Sequence, residues 1–351
     1  MSPKHTLVTL ANELGVSRQT VSNAINSPHR VKPETLERVR AAIAEAGYRP
    51  SAAGRQLRTR RSMDLAMRLY PSTDGINGSI LDRFLHSLTE SAQVEGYRLT
   101  LFTADDDADE IAEYEQLLDT ADLDGFVLTN THHADARTDW LLEREVPFVA
   151  FGRPWSATSD PFDAAHAWVD IDGGAGTAAA TEMFLARGHR KVAFLGWPEG
   201  SGAGDDRRSG WRRAMAAGAA GSDFAALNVS VEDNVRNGAR GAETLVAQGA
   251  TAIVCASDSL ALGAAAAWRQ LLPDAGEPAV VGFDDTPVAA AVGLSSVSQP
   301  IEAAAQHTVS LLTHQLTGPS GQTEPEQHLL LKSELVQRRS DPFITTGEPV
   351  S

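Results

Sequence analysis

Arg18, Gln19, Ser22 and Asn23 stand within one short stretch, and their side chains can read nucleic-acid bases. On a helix, Arg18 shares a face with Ser22, and Gln19 shares one with Asn23. Gln and Asn pair bidentately with adenine in the major groove, and Arg pairs with guanine. Val21, Ala24 and Ile25 form an opposite, apolar side, and Ser17 can cap the first free amides. Alone, this is an ordinary amphipathic surface helix.

A second set of polar residues recurs further on, each group directly after a short apolar run. These are Tyr70-Pro71-Ser72-Thr73, Thr129-Asn130-Thr131, Gly152-Arg153-Pro154-Trp155, Ser257-Asp258 and Asp284-Asp285. Arg and Asp can each bridge adjacent hydroxyls, and aromatic faces cover the C–H patches of a sugar. The set therefore suits a polyhydroxylated ligand.

The elements that must position the first set are three helices. Thr6 can cap a helix carrying Leu7, Leu10, Ala11 and Leu14, and Gly15 suits the left-handed residue that ends it. Val16 leads into the helix at Ser17, so helix, glycine turn and helix follow one another as in a helix-turn-helix. Pro33 opens a third helix with Leu36, Val39, Ala42, Ile43 and Ala46 on one side, ending at Gly47. Residues 48–61 follow. They are basic, contain Gly54 and offer one large apolar residue, Leu57, so an isolated helix there would be marginal.

The second set requires strands. Apolar runs at 65–69, 98–103, 125–129, 148–151, 168–171, 192–196, 252–256 and 280–283 alternate with helical stretches at 80–95, 110–120, 173–187, 207–217, 237–247 and 259–271. Such alternation predicts parallel sheets covered on both faces, with ligands outside the carboxyl ends of the strands. There are too many strands for one sheet, and the Pro-containing change near 153–166 predicts two doubly wound lobes. Segments 296–299 and 327–336 are expected to return to them, with 341–351 a loose tail.

Charge separates the two parts. Residues 1–61 hold eleven Lys or Arg against four Asp or Glu, a net +7, so the rest of the 351-residue chain carries −23 of the total −16. A basic head on an acidic body predicts that only the head meets a polyanion. No apolar run approaches membrane-spanning length, no signal segment is expected, and the single cysteine, Cys255, fits a reducing compartment, the cytoplasm.

The run Thr-Leu-x-x-Leu-Ala-x-x-Leu-Gly-Val-Ser-x-x-Thr-Val-Ser-x-x-x-Asn, followed by Val-x-Pro-Glu-Thr and Gly-Tyr-x-Pro, resembles the DNA-binding head of LacI-type (lactose-repressor-like) bacterial transcriptional regulators. The resemblance implies an all-α helix-turn-helix head and an α/β body of two periplasmic-binding-protein-like lobes joined by three crossovers. It places Arg18, Gln19 and Asn23 at base-reading positions. Thr6, Leu7, Ser17, Thr20, Ser22, Asn26, Arg30 and Thr35 fall at phosphate-meeting or supporting positions. Ala52–Arg58 would be a hinge helix that folds on DNA, with Arg55 within it and Leu57 wedged into the minor groove. Ser51 and Gly54 depart from the usual Asn and Ala.

In the body, Val280-Val281-Gly282-Phe283-Asp284-Asp285 matches a motif whose first Asp binds effector, and Arg207, three before Gly210-Trp211, matches the effector-binding Arg. Arg153 resembles members that take oligosaccharides, and Ser257 matches a contacting position. Gln299, Thr129, Tyr70 and Asp233 transfer less directly, and for Trp155, Trp168 and Trp197 core packing and ligand stacking stand about equal.

The expected boundaries are 1–50 head, 51–61 hinge and 62–340 body, with one lobe at about 62–166 plus 294–325 and the other at about 167–293 plus 326–340. No metal or cofactor is expected. His132-His133 lacks a carboxylate or cysteine at ligand spacing, Gly173-Gly174-Ala175-Gly176 lacks the spacing of a dinucleotide loop, and Ser201–Asp206, a Gly-rich acidic loop, lacks the Lys-Ser/Thr of a phosphate loop. The leading expectation is a homodimeric repressor on pseudo-palindromic double-stranded operator DNA, controlled by a small sugar and without membrane contact. A purine-responsive regulator is the alternative, and a sugar-transport binding protein or a sugar kinase is less supported.

Overall fold

The computed structural model describes residues 6–48, 61–71, 78–120, 123–156, 160–218, 224–318 and 325–338. The chain forms two compact units, Met1–Ser62 and Met63–Ser351.

The first unit holds α1 (Leu7–Leu14), α2 (Arg18–Asn26) and α3 (Pro33–Glu45). Thr6 and Thr9 cap α1 reciprocally, each side chain accepting from the other's backbone N–H at 3.2 and 2.8 Å. Gly15 ends α1 in the left-handed region at φ +64°. Ser17 Oγ accepts from Thr20 N at 3.0 Å and starts α2. Leu10, Ala11, Val21, Ala24 and Val39 are buried together, with Val16, Ile25, Leu36 and Ile43 packed against them. The expected hinge, Ala52–Arg58 with Arg55 and Leu57, lies outside the described residues.

The second unit contains two six-stranded sheets. The first takes β1 (Asp64–Arg68), β2 (Arg98–Phe102), β3 (Gly125–Thr129), β4 (Phe148–Phe151), β5 (Ala167–Asp172) and β11 (His328–Lys332), in the order β11-β5-β4-β3-β1-β2. The second takes β6 (Val192–Gly196), β7 (Asn228–Ser230), β8 (Ala252–Cys255), β9 (Val280–Phe283), β10 (Ser295–Ser298) and β12 (Glu334–Val336), in the order β12-β10-β9-β8-β6-β7. The described pairings are parallel except β10 with β12.

Alternation along the strands divides the core of the first lobe between its two faces. Leu65, Val127, Val149 and Val169 join one cluster with Phe84 and Leu88 of α4 (Gly78–Val94). Ala66, Phe126, Leu128, Ala150 and Trp168 join another with Tyr114 of α5 (Asp107–Thr120) and Leu141 of α6 (Ala136–Glu143). The second lobe is wrapped by α7 (Gly173–Ala186), α8 (Ala203–Gly218), α9 (Val235–Ala247), α10 (Asp258–Leu271) and α11 (Pro287–Ala291). α12 (Ile301–Thr317) returns to the first lobe, where Ile301, Ala305 and Leu312 join the cluster of Leu65 and Val127.

The lobe boundaries differ from the expected ones. β5 and β11 belong to the first sheet and β10 to the second, so residues 167–172 and 328–332 change lobe in one direction and 295–298 in the other. The chain crosses between β5 and α7, between β10 and α12, and at Ser333, which alone separates β11 from β12. An apolar run shows that a strand is buried but not which sheet receives it. The single strand expected at 327–336 is two strands in two sheets for the same reason. Among the described residues, no helix is long and apolar enough to cross a membrane.

Candidate functional site

On the head, Arg18, Gln19, Ser17, Thr6 and Arg30 are exposed, while Leu7, Thr20, Ser22, Asn23 and Thr35 are half-buried. Gln19 Nε2 donates to Asn23 Oδ1 at 2.9 Å, so the two amides expected to read bases are linked one turn apart. Ser17 Oγ and Thr20 Oγ1 lie 2.8 Å apart, and Leu7 packs on the small core. Asn26 ends α2.

In the body, a cavity of about 290 Å³ opens between the carboxyl ends of the two sheets. Trp155, Arg207, Asp233, Asp284 and Gln299, all expected effector contacts, line it. Asp284 follows β9 at φ +108°, a conformation L-residues rarely adopt, and the chain's turn there aims a carboxylate at the cavity. Gln299 Nε2 donates to Asp284 Oδ1 at 2.7 Å. Arg207 Nη1 lies 3.7 Å from Asp284 Oδ1 and donates to the Ala256 carbonyl at 2.5 Å. Its guanidinium carbon stands 3.7 Å from the Phe283 ring centroid and 4.9 Å from that of Trp197. Burial pushes the Asp284 carboxyl well above the usual carboxylate range and draws the Arg207 guanidinium down, and each charge partly restores the other.

Arg153, after β4, reaches across the cleft. Its Nε lies 3.2 Å from Asp170 Oδ2 on β5, and its Nη2 lies 2.7 Å from Asp206 Oδ2 on the first turn of α8. The same guanidinium covers the Trp155 ring at 4.6 Å, while a Cβ on Gly202 would stand 2.6 Å from that ring. Burial raises the Asp170 carboxyl to about 6, against the lowering effect of Arg153.

Arg153 itself is not among the lining residues, and three further expected contacts stand back from this cavity. Ser257 is fully buried, donates to Asp233 Oδ1 at 2.5 Å and caps α10. It supports Asp233 and does not line the cavity itself. Tyr70 lies instead in a neighbouring hollow with Arg68 and His132, where Arg137 Nη1 donates to its hydroxyl at 2.9 Å. Thr129 is 2% exposed and pairs in β3; its carbonyl, not its hydroxyl, meets Tyr70 and Arg137. Trp168 is fully buried in the core, whereas Trp155 and Trp197 line the cavity.

Asn130 and Thr131, from the polar run after β3, also line it, as do Asp170 and Asp206, which are not among the expected ligand contacts. Asp170 carried a signal, a charged residue between Val169 and Ile171 in an otherwise apolar strand. Asp206 was hidden inside an acidic loop weighed only as a phosphate loop.

His132 does find carboxylates, Asp107 from far upstream and Asp135 from three residues on. Its Nε2 lies 2.9 Å from Asp107, and with Asp135 the three ligand atoms lie within 4.8 Å of one another. Arg137 already pairs with Asp135 at 2.7 Å and with Asp107 at 3.6 Å, so both carboxylates have a cationic partner. His133 is exposed, 3.5 Å from Asp205.

Residues 6–51 match the family described as bacterial regulatory proteins, lacI family, and residues 181–340 match the periplasmic binding protein-like domain. The chain is 32% identical over 350 residues to the HTH-type transcriptional regulator CelR of Thermobifida fusca, covering 95% of this chain and 98% of that one. It is 28% identical over 343 residues to the regulator AglR of Rhizobium meliloti, covering 95% and 93%. A LacI-family regulatory protein from Chloroflexus aggregans superposes with a TM-score of 0.71 at 34% identity over 80% of this chain and 98% of that chain. A CelR–cellobiose complex superposes at 0.68 with 29% identity, over 96% and 99%. The lac repressor dimer bound to operator shares the fold, with a TM-score of 0.75 at 21% identity over 96% and 99%.

Proposed function

The chain belongs to the LacI family of bacterial regulatory proteins, and from that premise we propose that it represses carbohydrate-use genes under the control of a sugar or short oligosaccharide. It is a DNA-binding transcriptional regulator, as its relatives are. The observation that carries the effector reading is the approach of Arg207 and Asp284 to 3.7 Å on the wall of a cavity that also holds Trp155, Trp197 and Gln299. Paired charges and aromatic rings in one cavity are what adjacent hydroxyls and sugar C–H surfaces need. The solved CelR complex contains cellobiose, which makes β-linked disaccharides the first compounds to try.

Arg18, Gln19 and Asn23 are assigned to base edges, and Thr6, Leu7, Ser17, Thr20, Ser22, Asn26, Arg30 and Thr35 to phosphates or docking support. Two copies of α2, one from each protomer of a cytoplasmic homodimer, would enter successive major grooves of a pseudo-palindrome. Residues 51–61, with Arg55 and Leu57, couple the body to the DNA. Effector binding must favour one lobe arrangement over the other to change operator affinity. Tyr70 and Thr129 are left out of the contact set; Arg153, Asp233 and Ser257 remain, Ser257 through Asp233.

The test is fluorescence anisotropy of the full chain on a duplex selected from a random pool, titrated with cellobiose, maltose, raffinose and hypoxanthine. The expected result is a pseudo-palindromic site whose affinity falls steeply with salt and changes with one of the sugars. A response to hypoxanthine alone would replace the sugar reading with the purine one.

A further inference from the structure

We propose that Asp170 and Asp206 make the effector cleft select against anions, so that it takes uncharged, hydroxyl-rich sugars and refuses their phosphorylated counterparts. This rests on the sugar reading above and adds the charge class of the ligand.

A phosphate entering the cleft would need a cation or a helix N-terminus to receive it. Both are already filled by the protein's own carboxylates. Arg153 is held from two sides, by Asp170 at 3.2 Å and Asp206 at 2.7 Å, and Trp155 covers one face of its guanidinium. Asp206 Oδ2 also accepts from Gly174 N at 2.7 Å, in the first turn of α7, and Asp172 caps the same helix through Ala175 N at 2.7 Å. The N-terminal end of α7 thus carries two carboxylates where an anion would dock. Arg207 lies between the Phe283 and Trp197 rings, with Ala256 O and Asp284 on its Nη1. With Asp233 on the same wall, four carboxyl groups stand around two guanidinium groups.

Hydrogen bonding points the same way. Among the described residues, Arg207 Nε is a buried donor without an acceptor, while Asp170 Oδ2 is already paired with Arg153 Nε at 3.2 Å. A hydroxyl both donates and accepts, so a polyol can accept from Arg207 Nε while donating to a neighbouring carboxylate. A phosphate at neutral pH is mainly an acceptor and adds negative charge beside carboxylates in a site partly shielded from water, where Coulomb repulsion is stronger than in bulk solvent.

The experiment is calorimetric titration of the full chain at pH 7.5 with matched pairs: cellobiose and cellobiose 6′-phosphate, maltose and maltose 6′-phosphate, trehalose and trehalose 6-phosphate. In any pair that binds, the neutral sugar should bind at least roughly 30-fold more tightly. Asp206→Asn keeps an oxygen for Gly174 N and removes the charge, so the neutral-to-phosphate ratio should narrow by about tenfold, near 1.4 kcal/mol. Asp170→Asn gives a second reading of the same ratio if the first variant does not fold. A phosphosugar that binds as tightly as its neutral partner overturns the charge selection and leaves the sugar reading standing. A ratio unmoved in both variants makes the discrimination steric and removes the two residues from it. Binding of no member of any pair removes the sugar reading, and this inference with it.

Discussion

Gln299 Nε2 and Asp284 Oδ1 meet at 2.7 Å, joining the ends of β9 and β10 on the cavity wall. Asp284 thereby sits between an amide donor and the Arg207 guanidinium, with a rarely populated backbone conformation aiming it inward. Asp284→Ala removes that acceptor from both. A hydrogen bond to a charged group contributes about 1.5–3 kcal/mol, so sugar affinity should fall at least about tenfold. Operator affinity without effector should stay near wild type. Anisotropy titrations with and without sugar read both; a variant that responds normally would remove Asp284 from the effector site.

Arg18 is exposed at the start of α2, beside the linked amides of Gln19 and Asn23. Arg18→Ala should cost about 1–3 kcal/mol at one operator base pair and relax preference there. Competition among single-base operator variants measures it. A loss equal on every sequence would make Arg18 a phosphate contact.

Gly54 stands in the proposed hinge, where a helix interior disfavours glycine by roughly 1 kcal/mol relative to alanine. Gly54→Ala should tighten operator binding several-fold through easier helix formation. Equal or weaker binding in the same titration would show that residue 54 is not in a helix on DNA.

Gly210 lets α8 lie against the start of α7: a Cβ there would collide with the Gly174 carbonyl and stand 2.5 Å from Thr177 Oγ1. Thr177 Oγ1 already donates to Arg207 O at 2.6 Å, so the contact sits one turn from Arg207, a proposed effector contact. Gly210→Ala should cost about 1–3 kcal/mol or more, because backbone must move. A lowered melting temperature and a weakened sugar response should appear together, by thermal unfolding and anisotropy. A variant with wild-type melting temperature would show that the helices can part freely.

Asp170 titrates at about 6 in the folded protein because it is buried, against about 3.9 when unfolded. The native state therefore holds more protons than the unfolded state between those values, and Asp170's contribution to stability falls as pH rises from about 4 to 6. Asp170→Asn should remove that slope. Thermal unfolding from pH 4 to 8 should show the wild type losing ground to the variant up to about pH 6, then running parallel to it. Parallel curves throughout would place the Asp170 pKa near its ordinary value.

Much of this was legible because local chemistry and tertiary role agreed. Thr6 and Ser17 mark helix starts by their side-chain oxygens, Gly15 marks a stop and Pro33 a start by their backbone preference, and each helix end lies where they mark it. Arg207 and Asp284 were found by motif, and the fold brings them together. What failed depended on three dimensions. Tyr70 follows a strand as Asp284 does, but a buried Arg137, unremarkable in sequence, holds it in another hollow. His132 gains Asp107 only through the fold, since that residue lies far upstream, while Asp135 stands just three residues on. β5, β10 and β11 were placed in the wrong lobes because burial periodicity is the same in either sheet.

The one-residue passage from β11 to β12 bears on how the protein is made. Both lobes take a strand from residues 328–336, the first as β11 and the second as β12. Neither lobe is contiguous in the chain, so neither can be completed while synthesis is still in progress upstream. The head, whose core is closed within residues 7–48, carries no such debt. A nascent chain therefore acquires the surface that binds operator long before it acquires the body that answers to effector. Any truncation before residue 328 strips a strand from both halves of the sensor while leaving the reading head intact.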